Sequence, residues 1–242
     1  MYGLGGDAAK SETATLNPLT AYARSKVASE RDLAPLADDT FRVTCLRFAT
    51  ACGWSDRLRL DLVLNDFVAG AVAAGEINML SDGTPWRPLI HVLDMARAIA
   101  WAVVRPAEAG GNFLAVNAGA DAWNYQVRDL AAAVAEALPG TRVQLNPHAA
   151  PDLRSYRVDF SLFAHLAPAH QPLHTLPATI AELHRQLRDM GFADPNFRGS
   201  RLMRLRVLAA LREQDELTED LTWAAGPVKP AVPLYRPELV VV

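Results

Sequence analysis

Apolar positions along this chain alternate between two spacings, which predict helices and strands in turn. Helical spacing predicts six helices, over residues 18–37, 61–74, 94–104, 126–138, 176–190 and 199–213. Short apolar runs between them predict strands over 41–49, 77–80, 88–91, 113–117, 142–146 and 155–158. Strand–helix alternation of this kind indicates a parallel α/β structure rather than an all-α or all-β fold.

Glycine and proline mark several of the predicted boundaries. Gly75 ends the second helix, Pro106 follows the third, and Pro139-Gly140 closes the fourth. Residues 226–242 contain four prolines, which predicts an extended tail. Half of all residues are hydrophobic and 21% are charged, so the chain is expected to be globular rather than disordered.

Charge and cysteine content exclude several classes of function. A net charge of −3 argues against a nucleic-acid-binding surface. Cys45 and Cys52 are too few for a disulfide framework and lack metal-site spacing, so no metal is expected. No signal peptide or apolar run of membrane length occurs, which gives a cytoplasmic location and no membrane contact as the expectation.

The most informative chemistry lies in Tyr22 and Lys26, within Thr20-Ala-Tyr-Ala-Arg-Ser-Lys26. Four-residue spacing puts both side chains on one helix face, a single turn apart. A lysine ammonium beside a phenol stabilises the phenolate, which makes a tyrosine a usable acid/base near neutral pH. The alternative is a half-buried helical tyrosine beside a solvated lysine, because this spacing alone is common.

Five ordered segments together carry a family resemblance. The chain resembles the extended short-chain dehydrogenase/reductases, the NAD-dependent epimerase/dehydratase family, over roughly residues 1–190. The segments are Met1-Tyr2-Gly3, the helix Pro18 to Lys26, Leu46 to Gly53, the run D-G-T-P-W-R-P-L-I-H-V-L-D-M-A at 82–96, and D-L-R-S-Y-R-V-D at 152–159.

The resemblance implies a fold, a cofactor and a set of site residues. The fold would be the C-terminal portion of a Rossmann-like doubly wound parallel sheet plus a smaller α/β substrate lobe. NAD or NADP would carry the hydride, Tyr22 would exchange a proton with a sugar hydroxyl, and Lys26 would bond the nicotinamide ribose. Phe48 would also lie at the cofactor.

The expected substrate is a nucleotide sugar. Arg87 and Arg154 match the two family positions that grip a nucleotide diphosphate, and guanidinium forks suit a pyrophosphate. Asn65 is the third candidate contact, although a capping or exposed asparagine is nearly as common. His91 lies between Ile90 and Val92, which favours a structural histidine over an acid/base residue.

The family's Gly-rich phosphate-binding turn is missing from the 242 residues: no G-x-x-G-x-x-G or G-x-G-x-x-G occurs. We therefore expect an N-terminally shortened enzyme that is inactive alone. The alternative is a non-catalytic remnant that binds a sugar nucleotide or a protein partner. An in-frame Gly-rich segment in the DNA upstream of Met1 would favour the enzyme.

The expected organisation has three parts. Residues 1–160 would form the partial dinucleotide-binding domain, interleaved with substrate-lobe segments. Residues 161–225 would form a helical substrate lobe, and residues 226–242 the tail. A homodimer is also possible, because the family uses the tyrosine-bearing helix at its dimer interface.

Overall fold

The computed structural model describes residues 1–3, 8–145, 155–200 and 202–224. They belong to two compact units, Met1–Pro195 and Asn196–Val242. In chain order the described helices and strands are α1 (Ala21–Leu33), β1 (Val43–Phe48), β2 (Thr50–Cys52), α2 (Val63–Ala74), β3 (Glu76–Met79), β4 (Trp86–His91), α3 (Val92–Val104), β5 (Phe113–Ala118), β6 (Asn124–Gln126), α4 (Val127–Ala137), β7 (Arg142–Leu145), α5 (Ser161–Leu166), α6 (Leu176–Asp189) and α7 (Arg204–Glu213).

The predicted α/β class is confirmed, with three small sheets. Strands β1 and β5 pair in parallel, and so do β3 and β7. The third sheet is mixed, because β2 runs parallel to β4 while β6 runs antiparallel to it. Parallel strands need long crossover connections, and helices occupy them here. Helices α2 and α3, for example, lie in the chain between β1 and its partner β5.

The first sheet supports a core on one face. Leu114, Val116 and Ala118 of β5 pack with Ala98 and Trp101 of α3, all of them buried. The ring of Phe163 from α5 meets the Trp101 ring edge-on, with centroids 5.5 Å apart. Aromatic edge contacts of this kind add to the burial of the two rings, so α3 and α5 are fixed against β5.

The prediction of a strand over 155–158 is wrong. Only Val158 makes a β-bridge, with Lys10. The side chain of Asn124 explains the interruption, because its Oδ1 accepts from the Val158 amide at 2.9 Å and its Nδ2 donates to the Val158 carbonyl at 2.9 Å. A side chain therefore takes the backbone groups that a neighbouring strand would use. The pattern also missed β2, β6 and α5, and α7 is shorter than the predicted 199–213.

Three helices form the other main layer of the first unit. Helix α2 packs on α4 and α6, and α4 packs on α6. Helix α6 begins after Thr175, whose Oγ1 accepts from the Ala178 amide, with Pro177 in the first turn. Helix α4 begins with a capping box in which Gln126 and Asp129 bond each other's backbone. The buried residues between these helices include Leu64, Phe67, Val68, Leu130, Val134, Ile180, Leu183 and Leu187.

The second unit is described from Asn196 onward, apart from residues 201 and 225–242. Helix α7 has no buried side chain, and an isolated bridge joins Leu217 to Trp223. No helix of the described residues is long and apolar enough to span a membrane. The predicted domain boundaries at residues 160 and 225 stay predictions.

Leu183→Ala should destabilise the three-helix layer. Leu183 on α6 is fully buried, so the truncation removes apolar contacts and leaves a cavity. We expect the free energy of unfolding in urea to fall by about 2–5 kcal/mol. Leu173→Ala is the matched control, because the Leu173 side chain is 67% exposed. Equal losses from the two substitutions would contradict this layer as a core.

Candidate active site

Helix α1 presents the predicted tyrosine and lysine to solvent. Thr20 caps the helix by accepting from the Ala23 amide at 3.1 Å, which places Tyr22 in the first turn. The Tyr22 side chain is 73% exposed. The ammonium of Lys26 lies 5.4 Å from the centroid of the Tyr22 ring. The two groups therefore share one helix face, as the spacing predicted; their catalytic and cofactor roles stay predictions.

One ion pair ties this exposed helix to the sheet. No side chain of α1 is fully buried. Glu30 lies two turns beyond Tyr22. Its carboxylate accepts hydrogen bonds from Arg47 of β1, with Nη2–Oε2 at 2.7 Å and Nε–Oε1 at 2.9 Å. Both side chains are shielded from solvent, 10% exposed for Arg47 and 13% for Glu30. Burial disfavours the charged guanidinium, but the hydrogen bonds that it donates to Glu30 and Tyr2 outweigh this effect and raise the pKa of Arg47.

The same arginine continues into a buried polar network. Its Nη1 donates to the Tyr2 hydroxyl at 3.1 Å, and that hydroxyl donates to Asn117 Oδ1 at 2.5 Å. The side-chain Nδ2 of Asn117 donates in turn to the carbonyls of Lys10 and Asp159, both at 3.1 Å. Each group in this network has a partner, which makes it rigid. Burial raises the pKa of Tyr2, against the opposing effect of its bonds to Arg47 and Asn117.

A second anchor fixes the loop between β2 and α2. Asn65 is buried, its Oδ1 accepts from the Gly53 amide at 3.0 Å, and its Nδ2 donates to the carbonyls of Gly53 and Arg59 at 3.1 Å. In this geometry Asn65 holds the loop closed. The predicted contact between Asn65 and substrate phosphate stays a prediction.

The loop held by Asn65 carries Arg59, a guanidinium paired with a carboxylate. Arg59 is paired with Asp61, with its Nε 2.6 Å from Oδ1. The hydrogen bond that Arg59 donates to Asp61 is the main cause that raises the pKa of Arg59, and the Tyr22 phenol adds to it electrostatically. Leu58 and Leu60 on either side of Arg59 are buried, which turns its side chain outward. Polar and apolar residues alternate in the sequence here, Arg57-Leu58-Arg59-Leu60-Asp61, and this alternation indicates the outward direction of Arg59.

The predicted diphosphate contacts are placed only in part. Arg87 lies on β4, where its Nη1 donates to the Trp86 carbonyl at 2.8 Å, and it faces Tyr125 of β6 in the strand register. The guanidinium of Arg157 lies over the Trp86 ring, 5.2 Å from its centroid. Arg154 falls outside the described residues. The expectation that Arg154 and Arg87 bind the same diphosphate therefore stays a prediction. Phe48, at the end of β1, packs against the buried cores around β5 and β4.

His91 is a buried structural residue, in agreement with the interpretation from sequence. Its Nδ1 accepts from the Leu93 amide at 3.2 Å, so His91, and not Asp94 in the first turn, caps α3. Its ring stacks on His174 at 3.8 Å, with 10° between the planes, and its Nε2 lies 2.8 Å from Glu182. Asp94 instead accepts from the amides of Leu173 and His174. No sequence pattern indicated His174 or Glu182, because both come from a distant segment.

Metal binding finds no support in the part of the chain that the structure describes. No group of three or more His, Cys, Asp or Glu side chains there is arranged to hold an ion. Cys52 lies near Asp94 and Glu182, but it is buried, and burial followed by those two charges raises the pKa of its thiol. A neutral, inaccessible thiol is a poor ligand and a poor nucleophile.

Glu30→Ala should release helix α1 before the rest of the chain unfolds. The substitution leaves the Arg47 guanidinium shielded without its counter-ion, at a cost of about 3–5 kcal/mol. We expect faster tryptic cleavage after Lys26 and Arg31, measured by mass spectrometry under native conditions. Asp32→Ala is the control, because Asp32 pairs only with Arg31 and both are well exposed, 65% and 76%. Equal cleavage rates in both variants would contradict the anchoring role of Glu30.

Tyr2→Phe should weaken the alkaline sensitivity of folding. Because burial raises the pKa of Tyr2, its contribution is complete below the unfolded value near about 10 and is lost as pH rises through the folded value. At pH ~8 the variant should lose about 1 kcal/mol from the missing hydrogen bond to Asn117. At pH ~11 the difference in unfolding free energy between wild type and variant should shrink. A constant difference would show that Tyr2 does not contribute to the alkaline loss.

Comparisons with known proteins identify a similar family and a similar fold. The model of the NAD dependent epimerase/dehydratase family matches residues 1–119. Among solved structures, UDP-glucose 4-epimerase from Brucella ovis in complex with NAD is 26% identical, with a TM-score of 0.61 over 76% of this chain and 61% of that chain. MoeE5 in complex with UDP-glucuronic acid and NAD is 25% identical, with a TM-score of 0.66 over 78% and 62%.

A third solved structure supports the fold alone. It is UDP-glucose-4-epimerase from Stenotrophomonas maltophila with bound NAD and formylated UDP-arabinopyranose, 24% identical, with a TM-score of 0.64 over 78% of this chain and 61% of that one. The chain therefore spans about three-fifths of the length of the solved structures it matches. Over residues 1–119, just under half of its length, the chain is similar to the NAD dependent epimerase/dehydratase family.

Proposed function

We propose that this chain carries the acid/base and substrate-binding residues of an NAD(P)-dependent nucleotide-sugar oxidoreductase of the epimerase/dehydratase type. The observation that carries the proposal is the exposed pair on α1. Tyr22 and Lys26 lie one turn apart on a solvent-facing surface of a helix, in a chain similar to this family. A tyrosine of the core would be inaccessible to substrate, whereas this one is open.

Tyr22 is the proposed general acid/base. Its hydroxyl takes a proton from a sugar hydroxyl and returns it, and the Lys26 ammonium stabilises the phenolate formed in between. The Arg59 guanidinium, paired with Asp61 on the loop that Asn65 closes, is proposed to act electrostatically on the same phenol.

The described residues fit one side of a nicotinamide cofactor. Lys26 offers ammonium donors beside Tyr22, which suits a ribose with its hydroxyl acceptors. When bound, NAD or NADP supplies the hydride acceptor for sugar oxidation. The pyrophosphate, however, needs backbone amides of a Gly-rich turn at a helix N-terminus, and the 242 residues contain no such sequence.

The proposed substrate class is a nucleotide sugar. The Brucella ovis structure is a UDP-glucose 4-epimerase, and MoeE5 was solved with UDP-glucuronic acid. In this chain Arg87, with Arg154 and Asn65 as the further predicted contacts, supplies the charge for the diphosphate. A homodimer remains part of the proposal through α1, which buries none of its side chains in the described chain.

Residues 1–242 alone are proposed to be inactive in turnover. Hydride transfer needs near-contact geometry between cofactor and substrate, and nothing in this sequence fixes the cofactor pyrophosphate. The second candidate function, a binding protein for sugar nucleotides or a protein partner, is favoured by the same missing Gly-rich segment. The two differ in whether a longer reading frame through Met1 encodes a Gly-rich strand–turn–helix.

Calorimetry on purified residues 1–242 tests whether they bind the sugar nucleotide's UDP group without binding NAD. We expect no measurable heat with NAD, but saturable binding of UDP that weakens about tenfold in Arg87→Gln, since a charged hydrogen bond is lost. Arg142→Gln is the control, because Arg142 is exposed and bonds only Glu76, at 3.4 Å. Micromolar NAD binding by these residues would show that the cofactor site has been misplaced.

If the reading frame upstream of Met1 encodes a Gly-rich segment, turnover is tested in that longer chain. There Tyr22→Phe should lower kcat by about 10²–10⁴-fold with little change in sugar-nucleotide binding, because only proton transfer is lost. Tyr156→Phe is the matched control, on a half-buried tyrosine that packs edge-on against Tyr2. Undiminished kcat in Tyr22→Phe would overturn the assignment.

A further inference from the structure

A cleft at one end of the three-helix layer plays no part in the proposed active site. It has a volume of about 640 Å³ and is walled by the last turns of α2, α4 and α6. This volume falls in the range of small-molecule sites. None of the predicted site residues lines it. The lining residues that carry the argument are Val72, Ala137, Thr141, His184, Arg188 and Phe192.

Three glycines form the rim of this helix-end cleft. Gly75, Gly140 and Gly191 follow the three helices with φ of 63°, 90° and 68°, a region that glycine adopts without strain. An added Cβ at any of them would meet no atom within 4 Å, so each borders open space. The helices therefore end at the same place and leave room between their ends.

The charged side chain among the lining residues, Arg188, is positive. His184 lies one turn before it on α6, and among the described residues neither side chain has a hydrogen-bond or ion-pair partner. No aspartate or glutamate is found among the described residues that line the cleft, and most of the remaining wall is apolar: Ala71, Val72, Ala137, Leu138, Phe192 and Ala193. An unpaired guanidinium beside an apolar wall suits an acidic group attached to an apolar body.

The three helix ends oppose an anion in the cleft. A helix C-terminus carries roughly half a negative charge, from carbonyls without partners. Part of this charge is satisfied, because the Gly75 amide donates to Ala71, both Thr141 donors reach Leu138, and the Phe192 amide donates to Leu187. An anion in the cleft therefore depends on a direct charged hydrogen bond from Arg188 rather than on the field of the helix ends.

We propose that the helix-end cleft binds a small organic anion, a carboxylate or phosphate monoester on a compact apolar body, with Arg188 as its charged contact. The acidic group pairs with the guanidinium beside His184. The apolar body lies against Ala137 and Phe192, where the glycine rim lets it approach the backbone. This site is separate from the Tyr22 region and does not rest on the proposed function.

Benzoate and phenyl phosphate are the probes, and benzyl alcohol is the neutral counterpart of the same shape. We titrate each into residues 1–242 and follow ¹H–¹⁵N shifts. At least one anion should bind saturably with Kd below about 10 mM, with the largest shifts at Gly140, Arg188 and Gly191, and benzyl alcohol should not. The stronger of the two anions tells carboxylate from phosphate.

Two variants and a control make the result specific. Arg188→Gln should weaken the binding by about tenfold, since one charged hydrogen bond is lost, and Ala137→Trp should block it by filling the cleft. Arg185→Gln is the matched control, three residues away on α6, where Arg185 pairs with Asp189 at 3.5 Å and both are 63% exposed. All three positions are exposed, so thermal melting should confirm that each variant is folded.

Three results would overturn the proposal. They are the absence of saturable binding of either anion, equal binding of benzyl alcohol, and unchanged affinity in Arg188→Gln relative to Arg185→Gln. UDP binding, measured in parallel, reports on the proposed active site independently. Loss of UDP binding with the anion site intact, or the reverse, separates a failure of one proposal from a failure of the other.

Discussion

The contact between Glu30 and Arg47 attaches the helix that carries Tyr22 and Lys26 to the sheet. Helix α1 fully buries none of its side chains, so apolar packing alone gives it little attachment. The shielded ion pair attaches it to β1, and the shared arginine extends the attachment through Tyr2 and Asn117 to β5. A buried ion pair adds little net stability, but it is costly to break in half, so it fixes position more than it adds free energy.

The other side chains around the candidate site are arranged by the same means. Asn65 closes the loop that carries Arg59, and His91 caps α3 while reaching Glu182 on α6. Gly53 fits against the His91 ring so closely that a Cβ there would lie 2.3 Å from Nε2. Buried polar groups with complete partners thus connect the helices, and the apolar core between α2, α4 and α6 supplies most of the stabilising burial.

Local patterns were sufficient for most of the elements. Helical periodicity located α2, α3, α4 and α6 to within two or three residues, because their apolar stripes pack on a core and their ends carry Thr175, Gly75 and Pro139-Gly140. The local patterns failed at residues 155–158, where the side chain of Asn124 bonds the backbone groups of Val158. They also missed β2 and β6, since three-residue strands have no periodicity to detect.

The sequence by itself determined the α/β class, the family resemblance and the shared helix face of Tyr22 and Lys26, because these depend on short-range spacing and ordered motifs. Only the tertiary structure decided what surrounds that face. The ion pair from Glu30 to Arg47 spans 17 positions, and the bond between His91 and Glu182 spans 91. The helix-end cleft exists only because three separate helices end together. Contacts between residues distant in sequence arise from how elements pack, and no local pattern encodes which of them will meet.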